Sequence, residues 1–133
     1  MQKQIAALAT DEAHVVMWDI DAVLADHQKA PFVVVATERL VPEKWLTIDR
    51  EYAMGTDVTK PIIVFELPEG KFYIADGNHR VYRAAMQNVP AMKAIFVPER
   101  RHLRYLFRCD ETVYREVMRG LSDSGVFISD PRE

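Results

Sequence analysis

Residues 61–97 read PIIVFELPEGKFYIADGNHRVYRAAMQNVPAMKAIFV, and this stretch decides the predicted fold. Its apolar runs IIVFEL and KFYIA flank a short turn that contains Gly70, which predicts a β-hairpin. After the hairpin, four residues recur at the spacing of one helix face with no Gly or Pro between them: Val81, Ala84, Ala85 and Asn88. We therefore expect a helix that begins close to His79, with DGNHR (Asp76–Arg80) as a strand-to-helix turn.

The residue types of the DGNHR turn suit a phosphate group. A helix start leaves backbone N–H groups without intrahelical partners and carries roughly half a positive charge. Gly77 permits a positive φ angle and close approach of a ligand, and Arg80 adds a forked, permanently charged donor. His79 can donate a hydrogen bond or move a proton. The alternative is ordinary turn chemistry, in which Asp76 caps the helix and the other polar side chains are solvated.

The motif and the order of elements around it resemble the ParB/sulfiredoxin superfamily. ParB-type partition proteins carry a Gly-x-Arg-Arg turn before a helix with Ala-Ala, and Gly77, Arg80 and residues 84–85 match that pattern. His79 replaces the first arginine of that turn. Sulfiredoxins carry Gly-Cys-His-Arg, which residues 77–80 match except that Asn78 replaces the cysteine. The resemblance implies an α/β (α+β) fold with a compact mixed sheet and flanking helices.

This resemblance sets the expected extent of the domain. The family-like core covers about residues 32–108, a C-terminal helix covers about residues 110–120, and residues 1–30 lie outside the likeness. We expect residues 1–133 to form a single ParB/sulfiredoxin-like domain, as the length also suggests.

The resemblance further implies that the turn holds a nucleotide, with Mg²⁺ and ATP, ADP or CTP as the expected ligands. The residues expected to bind the phosphates are Arg50, Gly77, Asn78, His79 and Arg80. His79 and Asp76 are the candidate catalytic residues. Asp76 and Glu66 are the candidate Mg²⁺ ligands, because Mg²⁺ combines carboxylates with substrate phosphates.

Three classes of function follow from this interpretation. The first is a nucleotide-binding protein with phosphotransferase or nucleotide-hydrolysing activity. Sulfiredoxin chemistry is not expected, because Asn78 has no thiol and Cys109 lies outside the motif. The second class is a ParB-like DNA-binding protein or nuclease of a mobile element, although we do not expect the DNA-reading helical domain of partition proteins. The third is a non-catalytic interaction protein that keeps the fold.

Composition and charge narrow these classes. Apolar residues make up 49% of the chain and charged residues 28%, which gives no reason to expect disorder. A net charge of −3 argues against a dedicated nonspecific nucleic-acid binder. One cysteine excludes an intramolecular disulfide, and the absence of a long apolar run predicts a cytoplasmic protein with no membrane contact. A local basic strip remains, and its members are Arg100, Arg101, His102, Arg104 and Arg108. Arg100, Arg101 and Arg104 are the expected contacts to nucleic acid.

The segments before residue 61 and after residue 108 also carry patterns that predict secondary structure. Apolar residues at helical spacing predict a short helix within residues 1–9, and HVVMW is predicted to be a strand. Asp19 or Asp21 is expected to cap a helix after it. Leu40, Trp45, Leu46 and Tyr52 suggest helical packing broken at Pro42, after the predicted strand FVVVA. Near the C terminus we expect a helix from Asp110 to Gly120, and then a segment VFIS that pairs with a sheet edge.

Overall fold

The computed structural model describes residues 3–133, so Met1 and Gln2, the first residues of the predicted N-terminal helix, lie outside the described residues. In chain order the elements are β1 (Ile5–Asp11), β2 (His14–Asp19), α1 (Ile20–Asp26), β3 (Val33–Ala36), α2 (Arg50–Met54), β4 (Ile62–Glu66), β5 (Phe72–Asp76), α3 (Asn78–Met86), β6 (Ala91–Val97), α4 (Glu99–His102) and α5 (Glu111–Gly120). Helices and two sheets of two and four strands confirm the predicted α+β class.

The contacts divide the chain into two compact units. We call Ala30–Pro98 with Gly125–Glu133 the sheet unit, and the segment up to Lys29 with Glu99–Ser124 the hairpin unit. That residues 1–133 form a single domain stays a prediction.

The hairpin unit is built on an antiparallel pair. β1 pairs with β2, with Ala6 opposite Trp18 and Leu8 opposite Val16. The helix predicted near the N terminus is therefore wrong for the described residues. Ala6 and Leu8 are buried while Ala7 and Ala9 are exposed, a period of two that the pairing with β2 imposes.

Three of the predicted helix boundaries in this unit are confirmed. The Asp19 carboxylate accepts a hydrogen bond from the Ala22 N–H at 3.1 Å and caps α1. Asp110 caps α5 in the same way, and the helix ends at Gly120 as predicted. Helix α5 places Tyr114 and Val117 in the core of this unit.

The predicted basic strip needs one correction. α4 has four residues and continues as a 3-10 turn over Leu103–Tyr105. His102 is fully buried, and its ring packs edge-on against Trp18 and Tyr114, so it does not belong to an exposed basic surface. The arginines of the strip are exposed: Arg100, Arg101, Arg104 and Arg108.

The sheet unit contains a four-stranded sheet in the order β3-β6-β4-β5. β4 and β5 form the predicted antiparallel hairpin, and α3 leads from β5 to β6, which runs parallel to β4. Helix α3 packs on the sheet through Val81 and Ala84, both fully buried. The predicted pairing of VFIS is confirmed, because Ile128 exchanges two backbone hydrogen bonds of 2.9 Å with Phe72.

The connection from β3 to β4 is less helical than expected. Only a 3-10 turn at Thr37–Leu40 and the five-residue α2 are regular, and Leu46 and Tyr52 are exposed. The apolar spacing predicted more helix than the segment forms, because half of those apolar side chains do not reach the core. Among the described residues, none of the helices has the length and apolar character needed to cross a bilayer.

Candidate functional site at the DGNHR turn

Gly77 sets the geometry of the turn between β5 and α3. Its φ angle is 112°, which confirms the predicted positive φ. A Cβ at this position would lie 2.4 Å from Cγ2 and 2.8 Å from Cβ of Ile62, the first residue of β4. The close approach that the glycine permits is therefore to the neighbouring strand. Both its φ angle and its contact with Ile62 require glycine.

The N-cap residue of α3 is Gly77, which has no side chain to cap the helix, and no acidic residue lies in the first turn. The first intrahelical bond runs from the Val81 N–H to the Gly77 carbonyl oxygen at 2.9 Å. The backbone N–H groups of Asn78, His79 and Arg80 precede that bond and have no carbonyl partner within the helix. The other helices of at least five residues are capped by aspartates: Asp19, Asp49 and Asp110.

Arg80 and Asp76 bind each other at the base of the turn. Nη2 of Arg80 donates to Oδ2 of Asp76 at 2.6 Å, and Nη1 donates to the Pro61 carbonyl oxygen at 2.8 Å. The two side chains are only 15% and 10% exposed, so this is a largely desolvated ion pair. The N-cap position of α3 is occupied by Gly77, one residue after Asp76. The pair ties the start of the helix to both strands of the hairpin.

His79 is held by the segment that precedes α2. Its Nε2 accepts a hydrogen bond from the Asp49 backbone N–H at 3.1 Å. Because a backbone N–H can only donate, Nε2 carries the lone pair and the ring proton lies on Nδ1. Asn78 is fixed too, since its Nδ2 donates to the Ile74 carbonyl oxygen at 2.9 Å.

Tyr52 lies against His79 and was not predicted as a site residue. The two ring centroids are 4.8 Å apart with an interplanar angle of 81°. The tyrosine is 64% exposed, although its apolar spacing suggests helical packing. The side chain of Asp49 caps α2 by accepting the Tyr52 N–H at 3.1 Å. The sequence signal that could find this cluster is the aspartate immediately before a helix, because a cap at Asp49 orients the residues that follow it.

Arg50 is the first residue of α2 and is exposed. Its neighbour Asp49 bonds His79, so the structure brings the Arg50 backbone close to the turn. A further arginine also connects the two helices, because Nη1 of Arg83 donates to the Thr56 carbonyl oxygen in the loop after α2. The loop before β4 is thus held to α3 by Arg80 and Arg83.

The two candidate Mg²⁺ ligands are not brought together. Glu66 pairs with Phe72 at one end of the β4–β5 hairpin, whereas Asp76 pairs with Ile63 at the other. Glu66 forms a 3.3 Å ion pair with Arg132 in the C-terminal segment. Within residues 3–133 no group of three or more His, Cys, Asp or Glu side chains is arranged to hold a metal ion. These residues do not fit a protein-built Mg²⁺ site.

Asp57, in the loop between α2 and β4, has a lowered pKa to which the charge of Arg80 contributes. The Thr59 hydroxyl and backbone N–H donate to Asp57, and these bonds lower the pKa of that carboxyl group. Lys60 and Arg80 lower the same pKa further through their charge. The loop between α2 and β4 therefore carries an ionised, exposed aspartate in the neighbourhood of Arg80.

Comparisons with protein-family models, with curated proteins and with solved structures find no match to this chain. The ParB/sulfiredoxin assignment therefore rests on the DGNHR motif and the order of elements, and it stays a prediction.

Proposed function

We propose that this protein binds a nucleotide through its phosphates at the start of α3. The observation that carries the proposal is the helix start without a side-chain cap, where three backbone N–H groups precede the first intrahelical bond and no acidic side chain lies in the first turn. The helix dipole adds partial positive charge at the same place, which favours phosphate.

The exposed Tyr52 ring favours a nucleotide over inorganic phosphate. It stands beside His79, the second residue of α3, and most of its surface faces solvent. Aromatic faces stack on nucleobases and contribute about 1–3 kcal/mol per base in single-stranded complexes. A ligand with phosphates at the helix start and a base on Tyr52 uses both features.

The proposed roles follow from the hydrogen bonds. The backbone of Asn78 and His79 would contact phosphate oxygens, and Nδ1–H of His79 would donate to the ligand. Arg80 would position the turn through Asp76 and add charge, while Arg50 would reach the phosphates from α2. ATP, ADP or CTP would bring Mg²⁺ on its own phosphates, because Mg²⁺ keeps several waters and binds few protein carboxylates.

Phosphoryl transfer or nucleotide hydrolysis is the activity we propose for such a site. Catalysis of this kind depends mainly on positioning and charge stabilisation, and here it would depend on the backbone donors, Arg80 and His79. Nucleic-acid binding is the second candidate, favoured by the exposure of Arg100, Arg101 and Arg104 in the hairpin unit.

The proposal is tested with a pair of variants that differ only in charge. Both His79→Gln and His79→Glu place an oxygen acceptor at this position, but glutamate adds a negative charge to the first turn of α3. We expect His79→Glu to weaken ATP, ADP and CTP at least tenfold more than His79→Gln, because a like charge within a few ångströms costs more than about 1.4 kcal/mol at low dielectric. Isothermal titration calorimetry with and without Mg²⁺ measures the difference.

Tyr52→Ala tests the nucleobase contact separately. It should weaken the nucleotides by about 1–3 kcal/mol and leave inorganic triphosphate unchanged. Arg101→Ala in the hairpin unit is the control, with unchanged nucleotide affinity. Equal binding by both His79 variants would move the phosphate site elsewhere. Binding of DNA at physiological salt that requires Arg101 would favour the second candidate instead.

A further inference from the structure

A cavity lies at the end of α3 opposite to the DGNHR turn. It has a volume of about 660 Å³ and opens in the sheet unit between the C-terminal end of α3 and the 3-10 turn after β3. That volume lies within the range of small-molecule sites. Ala84, the first residue of α3 in the cavity wall, lies six residues after Asn78, which is about 9 Å along the helix, so the cavity is distinct from the proposed phosphate site.

Thr37 in the wall of this cavity has an unsatisfied hydroxyl. The residue is 4% exposed, and among the described residues its Oγ1 has no hydrogen-bond partner. Its backbone N–H is satisfied by the Pro90 carbonyl oxygen at 3.1 Å, so only the side chain lacks a partner. Buried hydroxyls are usually hydrogen-bonded, so this oxygen is available to a polar group that enters the cavity.

The charge around the cavity favours a cation. Its walls include the end of α3, where the helix dipole places partial negative charge, and α3 is followed by Asn88 in the left-handed conformation with φ 55°. Glu38 lines the cavity as an exposed carboxylate. The remaining wall is mostly alanine, valine and proline, including Val41 and Val89.

We propose that this cavity binds a small aliphatic ammonium ion. Its ammonium group pairs with Glu38 and the carboxyl end of α3, and its carbon chain packs on Val41 and Val89. The Thr37 hydroxyl oxygen accepts one ammonium hydrogen. An anion is disfavoured by the same helix end and the same carboxylate.

The test is an NMR titration of the full chain with n-butylammonium chloride. n-Butanol is the neutral control of the same chain length, and sodium chloride keeps the ionic strength constant. We expect saturable amide shifts confined to residues 36–41 and 84–90, and about tenfold weaker binding of the alcohol. Shifts that do not saturate, that spread over the surface, or that are the same for the alcohol would overturn the proposal.

Three variants examine the named contacts. Glu38→Gln should weaken n-butylammonium about tenfold, as loss of one charge pair predicts. Thr37→Val should raise or preserve the melting temperature, because it removes an unsatisfied hydroxyl, and should weaken the ligand, whereas Thr37→Ser should keep both properties. Unchanged binding by Glu38→Gln or Thr37→Val contradicts the assignment. His79→Glu should not affect this ligand, so the outcome is separable from that of the nucleotide test.

Discussion

The starts of α3 and α5 show two ways in which this chain begins a helix. The start of α5 is capped by an aspartate, because the Asp110 carboxylate accepts the Val113 N–H at 3.1 Å. Glu111 adds a second negative charge in the first turn. α3 begins after Gly77 at the N-cap position, and the carboxylate of the preceding residue, Asp76, is paired with Arg80. Glycine in place of an aspartate cap costs only about a few tenths of a kcal/mol. The comparison shows that α3 can begin without a charged cap at little cost in stability.

Among the substitutions at these two helix starts, we expect Gly77→Ala to have the largest effect on stability. Gly77→Ala forces a positive φ angle on an L-residue and drives a Cβ to 2.4 Å from Cγ2 of Ile62. The left-handed conformation costs about 1–2 kcal/mol and overpacking a further 1–3 kcal/mol. We expect the free energy of unfolding to fall by about 2–5 kcal/mol, measured by chemical denaturation.

Gly70→Ala is the matched control for that substitution. Gly70 also has a positive φ angle, 70°, but a Cβ there would meet no atom within 4 Å. It should lose only the conformational term of about 1–2 kcal/mol. If the two variants are equally destabilised, the contact between Gly77 and Ile62 is not what fixes the turn.

Substitutions of the Asp110 cap should change stability without changing nucleotide binding. Asp110→Ala removes the acceptor for the Val113 N–H and should lower the free energy of unfolding by about 1 kcal/mol, within a range of 0.5–2 kcal/mol. Asp110→Asn keeps an acceptor oxygen and should be close to the wild type. Neither variant should change nucleotide affinity in calorimetry. A loss of nucleotide binding in Asp110→Ala would mean that the comparison separates the two helix starts wrongly.

The sequence predicted the α3 start closely because its signals are local. A Gly after an apolar run and an uninterrupted apolar face place the boundary within a residue of Asn78, where the structure has it. The β1 strand was not predicted, because the contacts that fix it are not local in sequence. Ile5 and Leu8 stand at helical spacing, but β1 is set by pairing with β2, a contact between segments that no local window contains.

The hydrogen-bond partners of long side chains could not be predicted from the sequence either. DGNHR identifies Arg80 as a cation at a helix start, yet its guanidinium is held by Asp76 and by the carbonyl oxygen of Pro61, which is 19 residues away. The spacing of Tyr52 suggests helical packing, whereas the side chain is exposed beside His79. Spacing predicts which face a residue occupies, but it does not predict whether another element covers that face.

Helix α5 also takes part in a cluster of charged side chains whose contribution to stability depends on pH. His14 at the start of β2 lies 2.9 Å from Oδ1 of Asp11, and its Nε2 lies 3.6 Å from Oε2 of Glu116 on α5. The hydrogen bond to Asp11, followed by the charges of Asp11 and Glu116, raises the pKa of His14 above its ordinary 6.5. The hydrogen bond to His14 lowers the pKa of Asp11 below its ordinary 3.8.

The smallest expected effect is the pH dependence of this cluster, because its side chains are about half exposed. A raised folded pKa means that the His14 contribution to stability is complete below pH 6.5 and is lost as pH rises through that folded value. The lowered pKa of Asp11 means that its contribution is present above pH 3.8 and is lost as pH falls through its own folded value. We therefore expect His14→Gln to melt at a lower temperature than the wild type near pH 5 and at the same temperature near pH 9. Glu116→Gln should remove a smaller part of that difference, and a gap between wild type and His14→Gln that persists unchanged at pH 9 would show that packing rather than charge supports α5 here.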